Sequence, residues 1–345
     1  MLHLAAQFLR PGNGGIAEVA RVTAKALARR GPLRGHACME SGDFAIEDAP
    51  VRAYGGSRAR YLLGLERASL SASRFVYDFA GSARSAGLLF PRRPYAVWTH
   101  GIEVWDEVRA DRRQALARAE LVLVNSLYTQ ERARPTLGPL RNVRLCRLGA
   151  YVDDAAPPAP RDGPQTVLLL GRVEPGFPKG QGLLVSLWPR VVAAAPEAKL
   201  LLVGKGSALE ALRDLARKSP AAAAIEVAGF VPEAAIESVW RRASVFAMPS
   251  LTEGFGLVFI EAMRRGLPVI ASLADAGQEV NLDGVSGYNV ARDDEVRLAE
   301  TLIALLRDRD LAARLGAQGQ ARWRAEFSFS AFARRLDWAM GDFLG

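Results

Sequence analysis

Pro249-Ser250-Leu251-Thr252-Glu253-Gly254-Phe255-Gly256-Leu257-Val258-Phe259-Ile260-Glu261 is the stretch on which the reading of this chain turns. The apolar run Val245 to Met248 ahead of it has the length of a buried strand, and the apolar residues from Gly256 onward fit a helix. Between them, Gly254 and Gly256 let the backbone approach a ligand closely, because no Cβ intervenes. The helix that begins there presents unpaired N–H groups and the positive end of its dipole, which together favour an anion. Carboxylates flank the turn at Glu253 and Glu261, and each accepts hydrogen bonds from hydroxyls. An anion with hydroxyls at either end describes a sugar nucleotide. A hydrolase pair is the competing reading of the two carboxylates. Along a continuous helix their Cα atoms would stand about 12 Å apart, wider than the ~5–9.5 Å that such carboxyl pairs need. The turn at Gly254 to Gly256 alters that geometry without making it more hydrolase-like.

Outward from this stretch, Thr166-Val167-Leu168-Leu169-Leu170 reads as another buried strand, ending in Gly171-Arg172. After the loop Pro175-Gly176-Phe177-Pro178, Lys179-Gly180 opens a helix. Two cations at the carboxyl end of a parallel strand can neutralise a diphosphate, and that is where open α/β sheets bind ligands. Gly204-Lys205-Gly206 and Gly229-Phe230-Val231-Pro232 each follow a strand-like run. In the first half, Pro11-Gly12-Asn13-Gly14-Gly15 lies between the first strand and a helix, where main-chain N–H groups can face a phosphate or an acceptor. Its spacing is not Gly-x-Gly-x-x-Gly, and no acid suited to a ribose ends the second strand, Glu40 being the nearest, which argues against NAD. Trp98-Thr99-His100-Gly101 places a histidine at the carboxyl end of a further strand.

With these elements in this order, the chain resembles the retaining glycosyltransferases of family 4, which have the GT-B fold. The resemblance is carried by Gly14-Gly15, His100, Arg172 with Lys179, Gly204-Lys205-Gly206, Gly229-Phe230-Val231-Pro232 and Glu253 to Glu261, and spans nearly the whole chain. It implies two Rossmann-like domains with parallel sheets facing across a cleft. His100, Arg172, Lys179 and Glu253 are the catalytic set that it implies. Arg172 and Lys179 would bind the two phosphates, Glu253 hydroxyls of the donor sugar, and His100 the sugar near its reacting carbon. Glu261 would hold the ribose hydroxyls, and Gly254, Phe255, Gly256 and Leu257 would border sugar and diphosphate. Gly204, Lys205 and Val231 would hold the base, and Gly14 and Gly15 complete the donor-binding set. The implied reaction moves a hexose, with retention, from a nucleoside-diphosphate sugar to a glycan or lipid-linked acceptor. No metal and no cofactor is expected, since Arg172, Lys179 and main-chain N–H groups take the role a metal plays elsewhere.

The sequence departs from the family pattern in two places. The loop before Lys179 is longer than is common, and Asp275-Ala276-Gly277-Gln278-Glu279 stands where Gly-Gly-x-Pro-Glu is usual. Leu187-Trp188-Pro189-Arg190 and Gly287-Tyr288-Asn289-Val290 resemble mannosyl-type enzymes that use GDP-mannose in exopolysaccharide assembly. An epimerase or hydrolase on the same fold is one alternative. A non-catalytic module that binds nucleotide sugars is another, but it should have lost a phosphate or sugar contact, and Arg172, Lys179, Glu253 and Glu261 are all present.

Composition sets the frame. With 345 residues, half of them apolar, the chain can bury two domain cores and is not disordered. The net charge of +8 is uneven: residues 1–155 hold 23 Lys and Arg against 15 Asp and Glu, and residues 156–345 hold 22 of each. An Arg-rich genome explains part of this. An anionic lipid surface or an anionic acceptor facing the first half explains it functionally. No basic-aromatic module points to nucleic acid. Cys38 and Cys146 have no metal-ligand spacing and read as buried thiols in a reducing compartment, and three scattered histidines suggest no zinc site. Met1-Leu2-His3 leads directly into a strand without a basic leader, so the expectation is a cytoplasmic protein, peripheral at most on the inner membrane face.

Short strands alternate with helices in each half, which implies parallel sheets covered on both faces. The first domain is expected at 1–155, with helices at 16–30 and 104–119. A linker marked by Pro157, Pro158 and Pro160 follows, then a second domain at 156–325. An aromatic-rich helix within 326–345 is expected to pack back on the first domain.

Overall fold

The computed structural model describes residues 1–84, 86, 92–138, 142–157, 165–175 and 179–345. Pro158 and Pro160 of the expected linker, and Gly176, Phe177 and Pro178 of the loop before Lys179, lie outside the described residues. The chain divides into two compact units, Met1–Asp153 with Ser328–Gly345, and Asp154–Phe327. The first passage of the chain between them falls at 153/154 rather than 155/156, and the second at 327/328 rather than 325/326. Each unit is an α/β domain on a mostly parallel sheet.

In the first unit the strands are β1 (Leu2–Ala6), β2 (Leu33–Ala37), β3 (Phe44–Ile46), β4 (Ala49–Ala53), β5 (Arg74–Tyr77), β6 (Tyr95–Thr99), β7 (Leu121–Val124) and β8 (Val143–Leu145). Their order across the sheet is β3-β4-β2-β1-β5-β6-β7-β8. Only the β3–β4 pair among the described strands is antiparallel. Tyr95 to Trp98 and Leu121 to Val124 are apolar runs because helices cover both faces, and Thr99, which ends the first of these strands, is buried with them and donates to the Leu123 carbonyl. The helix Gly15–Ala28 places Val19, Ala20, Val22, Ala24 and Leu27 in the core. The helix Phe329–Leu344 belongs to this unit and buries Phe329, Phe332, Leu336, Met340 and Phe343. It is tied down at its start, where Phe329 N–H donates to Val152 and Ser330 N–H to the Asp153 carboxylate.

Two histidines that look scattered in the sequence are neighbours here, because β1 and β2 pair in register. His3 Nδ1 lies 2.9 Å from His36 Nε2, and His36 Nδ1 lies 2.8 Å from the Tyr54 hydroxyl. Burial lowers His3 to about 4 and His36 to about 3, so both are neutral at ordinary pH. The expected helix over 104–119 is shorter, Ala110–Arg118. Val104, Trp105 and Val108 mimic helical spacing, but they are buried from irregular backbone as plugs in the core of this unit.

The second unit contains β9 (Thr166–Leu170), β10 (Lys199–Val203), β11 (Ile225–Gly229), β12 (Val245–Met248), β13 (Val269–Ser272) and β14 (Gly287–Val290). All pairs are parallel, in the order β11-β10-β9-β12-β13-β14. The chain therefore builds outward from β9 to one side and then restarts at β12 on the other. Such a reversal opens a crevice beyond the carboxyl ends of the two central strands. Trp188, within the helix Gln181–Ala194, is fully buried, and the Asn289 side chain of β14 accepts from the Asn281 side-chain amide and donates to the Asn281 carbonyl. These two residues, which suggested a mannosyl-type enzyme, are part of the scaffold.

Candidate functional site

In the second unit the expected donor residues lie after the carboxyl ends of neighbouring parallel strands, to either side of the β9/β12 reversal. Arg172 follows β9, Gly204 and Lys205 follow β10, Val231 follows β11, and Glu253 stands in the turn after β12. Main-chain bonds join the first three loops: Gly171 N–H donates to Val203, Val173 N–H to Lys205, and Gly204 N–H to Gly229. Gly204 has φ +153°, and a Cβ there would collide with the carbonyl of Gly171. Glycine at this position is what lets the loops after β9 and β10 lie against each other.

Lys179 and Glu253 meet directly. The ammonium lies 2.6 Å from Glu253 Oε1 and 3.4 Å from Thr252 Oγ1, in a setting that leaves the two charged side chains 10% and 18% exposed. Arg172 is exposed beside them, and its carbonyl accepts from Gln181 of the following helix. Lys205 is exposed with its ammonium 5.1 Å from the centre of the exposed Phe230 ring. Val231 is half-buried next to it.

The turn Glu253 to Gly256 and the helix Leu257–Arg264 form as the sequence suggested. Gly256, the N-cap residue, has φ +92°, and a Cβ there would strike the Phe259 ring. Phe255 is buried against Phe327, edge to face at 6.0 Å, which anchors the turn to the core. Gly254 and Leu257 remain half-buried and Glu261 is exposed on the helix. The first N–H groups of this helix have no partner within it, so the crevice carries an electropositive floor.

Asp275, which the sequence marked only as a departure from the family pattern, is fully buried at the end of β13. Its Oδ2 accepts from Glu253 N–H at 3.1 Å and its Oδ1 from Gly277 N–H at 2.9 Å. Burial pushes its carboxyl up to about 7; the Glu253 charge adds to the rise, while the Gly277 and Glu253 N–H bonds and Lys179 oppose it. The sequence signal that could have found it was an acid where a glycine is usual, directly after an apolar strand. Glu279 lies in the short helix Gly277–Val280, where its carbonyl accepts from Arg322.

In the first unit, the sheet order reverses between β1 and β5, and polar residues gather at that carboxyl edge too. Gly14 caps the helix Gly15–Ala28 with φ +87°, and a Cβ there would meet open space. Glu40 accepts from the N–H groups of Leu9 and Arg10, so it braces the glycine-rich loop instead of waiting for a ribose. His100 stands after β6 with Nε2 2.6 Å from the carbonyl of Asp78. A carbonyl only accepts, so Nε2 carries the proton and Nδ1 is the acceptor nitrogen. Glu103 accepts from His100 N–H at 2.5 Å, and Asn125 donates to its carbonyl. Asp78 itself accepts from Gln7 N–H, and burial pushes its carboxyl up to about 7. Among the described residues, no group of three or more His, Cys, Asp or Glu side chains is arranged to hold a metal ion. Cys38 and Cys146 are buried free thiols, and burial pushes Cys146 up to about 12.

Comparison with known proteins gives a consistent picture. Residues 153–322 match the family model described as glycosyl transferases group 1. The chain is 32% identical over 291 residues to the GDP-mannose-dependent alpha-(1-6)-phosphatidylinositol monomannoside mannosyltransferase of Mycobacterium tuberculosis, covering 76% of this chain and 75% of that protein. It is 31% identical over 280 residues to the GDP-mannose-dependent monoacylated alpha-(1-6)-phosphatidylinositol monomannoside mannosyltransferase of Corynebacterium glutamicum, covering 74% and 71%. Among solved structures, sucrose-phosphate synthase from Thermosynechococcus elongatus superposes with a TM-score of 0.83 at 19% identity, over 99% of both chains. Anabaena HepE in complex with UDP and glucose does so with a TM-score of 0.79 at 18% identity, again over 99% of both. At that identity the structural likeness establishes the fold.

Proposed function

Because this chain belongs to the group 1 glycosyl transferases, family 4 enzymes of GT-B fold, we propose that it is a retaining mannosyltransferase taking GDP-mannose to a lipid-linked acceptor. The observation that carries this reading is the Lys179–Glu253 pair at the β9/β12 crevice. It puts a cation suited to phosphate and a carboxylate suited to sugar hydroxyls side by side, above a helix N-terminus. In the proposed mechanism the donor diphosphate draws Lys179 and Arg172 to itself. Lys179 then releases Glu253, whose oxygens become free to accept from hydroxyls of the sugar. Glu261 accepts from the ribose. As the bond to the sugar breaks, charge builds on the leaving phosphate, and Arg172, Lys179 and the N–H groups at Phe255 and Gly256 stabilise it without a metal. Glu253 is taken as a hydroxyl acceptor and not a nucleophile, so the acceptor attacks from the same face as the leaving phosphate. That phosphate then accepts the acceptor's proton.

The relatives' names support GDP-mannose and a phosphatidylinositol-based acceptor. A membrane-facing role for the first unit is supported by one exposed stripe. On the helix Arg58–Ser69 and just past it, Arg60, Leu63, Arg67 and Leu70 follow one another at helical spacing, and all four are exposed. Cations alternating with leucines suit an anionic lipid surface. Among the described residues no helix is long and apolar enough to cross a membrane, so the attachment proposed is peripheral.

The test is turnover of GDP-mannose with phosphatidylinositol mannoside acceptors in mixed vesicles, with and without EDTA, and NMR of the anomeric centre formed. Transfer with an α-linked product, undiminished by chelator, is expected. Transfer only from a uridine nucleotide would sink the donor assignment, an inverted product the retention, and loss of activity in EDTA the metal-free reading. Release of free mannose at the same rate with and without acceptor would favour the hydrolase alternative.

A further inference from the structure

Glu253 sits in a turn, and a side chain in a turn is only as well placed as its own main chain. Both main-chain groups of Glu253 are held by the next loop. Its N–H donates to Asp275 Oδ2 at 3.1 Å, and its carbonyl accepts from Ala276 N–H at 3.1 Å. The two loops are brought together because β12 and β13 are parallel neighbours, with Met248 opposite Ala271. The Asp275 carboxylate is fully enclosed, and its second oxygen is tied to Gly277 N–H at 2.9 Å. The space around it is closed as well: a Cβ on Gly277 would lie 2.6 Å from the Phe259 ring and 3.0 Å from Asp275 Oδ1. A buried carboxylate with both oxygens bonded to main-chain donors is a rigid clamp, stronger than a neutral pair. No surface ligand can reach it, so its effect must pass through what it holds.

We infer that Asp275 is a positioning residue for transfer: it fixes the main chain of Glu253 so that the Glu253 carboxylate meets the donor sugar in productive geometry. This rests on the proposed role of Glu253. Misplacing a contacting group by a fraction of an ångström costs turnover before it costs binding of the nucleotide portion, which is held elsewhere. Asp275→Asn keeps the shape but turns an NH2 group toward one of the two N–H donors, so the clamp is broken at one end.

The experiment is a double-variant cycle on the full chain, with Asp275→Asn, Glu253→Gln and the combination. Turnover, donor KM, calorimetric affinity for GDP and melting temperature are measured for each. Asp275→Asn is expected to lower kcat by roughly tenfold to a hundredfold, while GDP affinity stays within about twofold. In the Glu253→Gln background the same change is expected to cost less than about twofold, because the group it positions is already disabled. A multiplied loss in the double variant, or an equal loss of GDP affinity, would overturn the inference, since a general structural defect would give either. An unchanged kcat in Asp275→Asn beside a slow Glu253→Gln would overturn it while leaving the role of Glu253 intact. An unchanged kcat in Glu253→Gln would instead refute the role of Glu253. Should Asp275→Asn fail to fold, Asp275→Ser, which removes the buried charge and cannot overpack, carries the same expectations.

Discussion

Replacing Lys179 with Ala should weaken the second unit, and adding Glu253→Gln should restore most of that stability without restoring transfer. The ammonium and carboxylate are 2.6 Å apart, with side chains 10% and 18% exposed, so water screens them little. Removing the cation strands a carboxylate in a low-dielectric setting. For a fully buried pair that costs about 3–5 kcal/mol, and the residual exposure of Glu253 brings the expected loss to about 2–3 kcal/mol. In a domain of this size each kcal/mol moves the melting temperature by about 2–4 °C, so a fall of roughly 4–12 °C is expected. With Glu253→Gln added the directly paired carboxylate is gone and only the more weakly coupled Asp275 still misses the cation, so most of the lost stability, to within about 1 kcal/mol of the parent, should return. Transfer behaves differently. Lys179 is proposed to stabilise charge on the leaving diphosphate, a contribution worth a factor of about 10²–10³, and no change at position 253 replaces it. Calorimetric melting and initial rates on the two single variants and the double variant supply the comparison. Additive losses of stability would show that the pair is not coupled. Recovery of transfer in the double variant would show that Lys179 serves Glu253 alone and does not touch the phosphate.

The two carboxylates should also fail differently. Glu261→Gln should weaken donor and free GDP binding by about 1–2 kcal/mol with turnover at saturation little changed, while Glu253→Gln should lose turnover and keep GDP affinity; titration calorimetry and saturation kinetics would show the roles reversed if the pattern is the opposite. Acid should act on the first unit through His3 and His36. Their folded values of about 4 and about 3 lie below the ordinary 6.5, so their contribution is complete above pH 6.5 and is lost as pH falls toward those values. Asp78 and Asp275, raised to about 7, act in the opposite sense, so the clean measurement is the stability difference between the parent and His3→Gln/His36→Gln. That difference should shift against the parent between pH 6.5 and 4, and a pH-independent difference would refute the assignment. Finally, co-sedimentation with vesicles should require anionic lipid, fade at high salt, and weaken in Arg60→Glu/Arg67→Glu; equal binding to neutral vesicles would leave the arginine content to codon usage.

What the sequence determined by itself is what short-range chemistry encodes. Apolar runs such as Thr166 to Leu170, closed by Gly171, and Val245 to Met248, closed by Pro249, have the length and punctuation of buried strands, and glycines at 254 and 256 admit a close-approach turn before a helix. Loops that follow such strands must reach the carboxyl edge of a parallel sheet. Arg172, Lys179 and Glu253 are therefore legible as residues of one edge, whereas Lys205, Val231 and Glu261 are assigned roles there only by the family resemblance. Where local patterns are ambiguous, spacing along the chain does not fix the backbone. The plugs at Val104, Trp105 and Val108 imitate helical spacing, and the β3–β4 hairpin and the helices Arg58–Ser69, Leu127–Leu137 and Arg309–Arg322 were not singled out at all.

Only the tertiary structure decided which groups touch. The Lys179–Glu253 contact joins residues 74 apart in sequence, the Asp275–Glu253 clamp residues 22 apart, and the His3–His36 pair residues 33 apart. Each depends on which strands become neighbours and in what register. That choice is made by packing summed over whole sheets and leaves no mark at the residues that are thereby brought together. Glu40 illustrates the limit: the sequence places it only near the end of a strand, and the path of the preceding loop is what brings the N–H groups of Leu9 and Arg10 onto its Oε1.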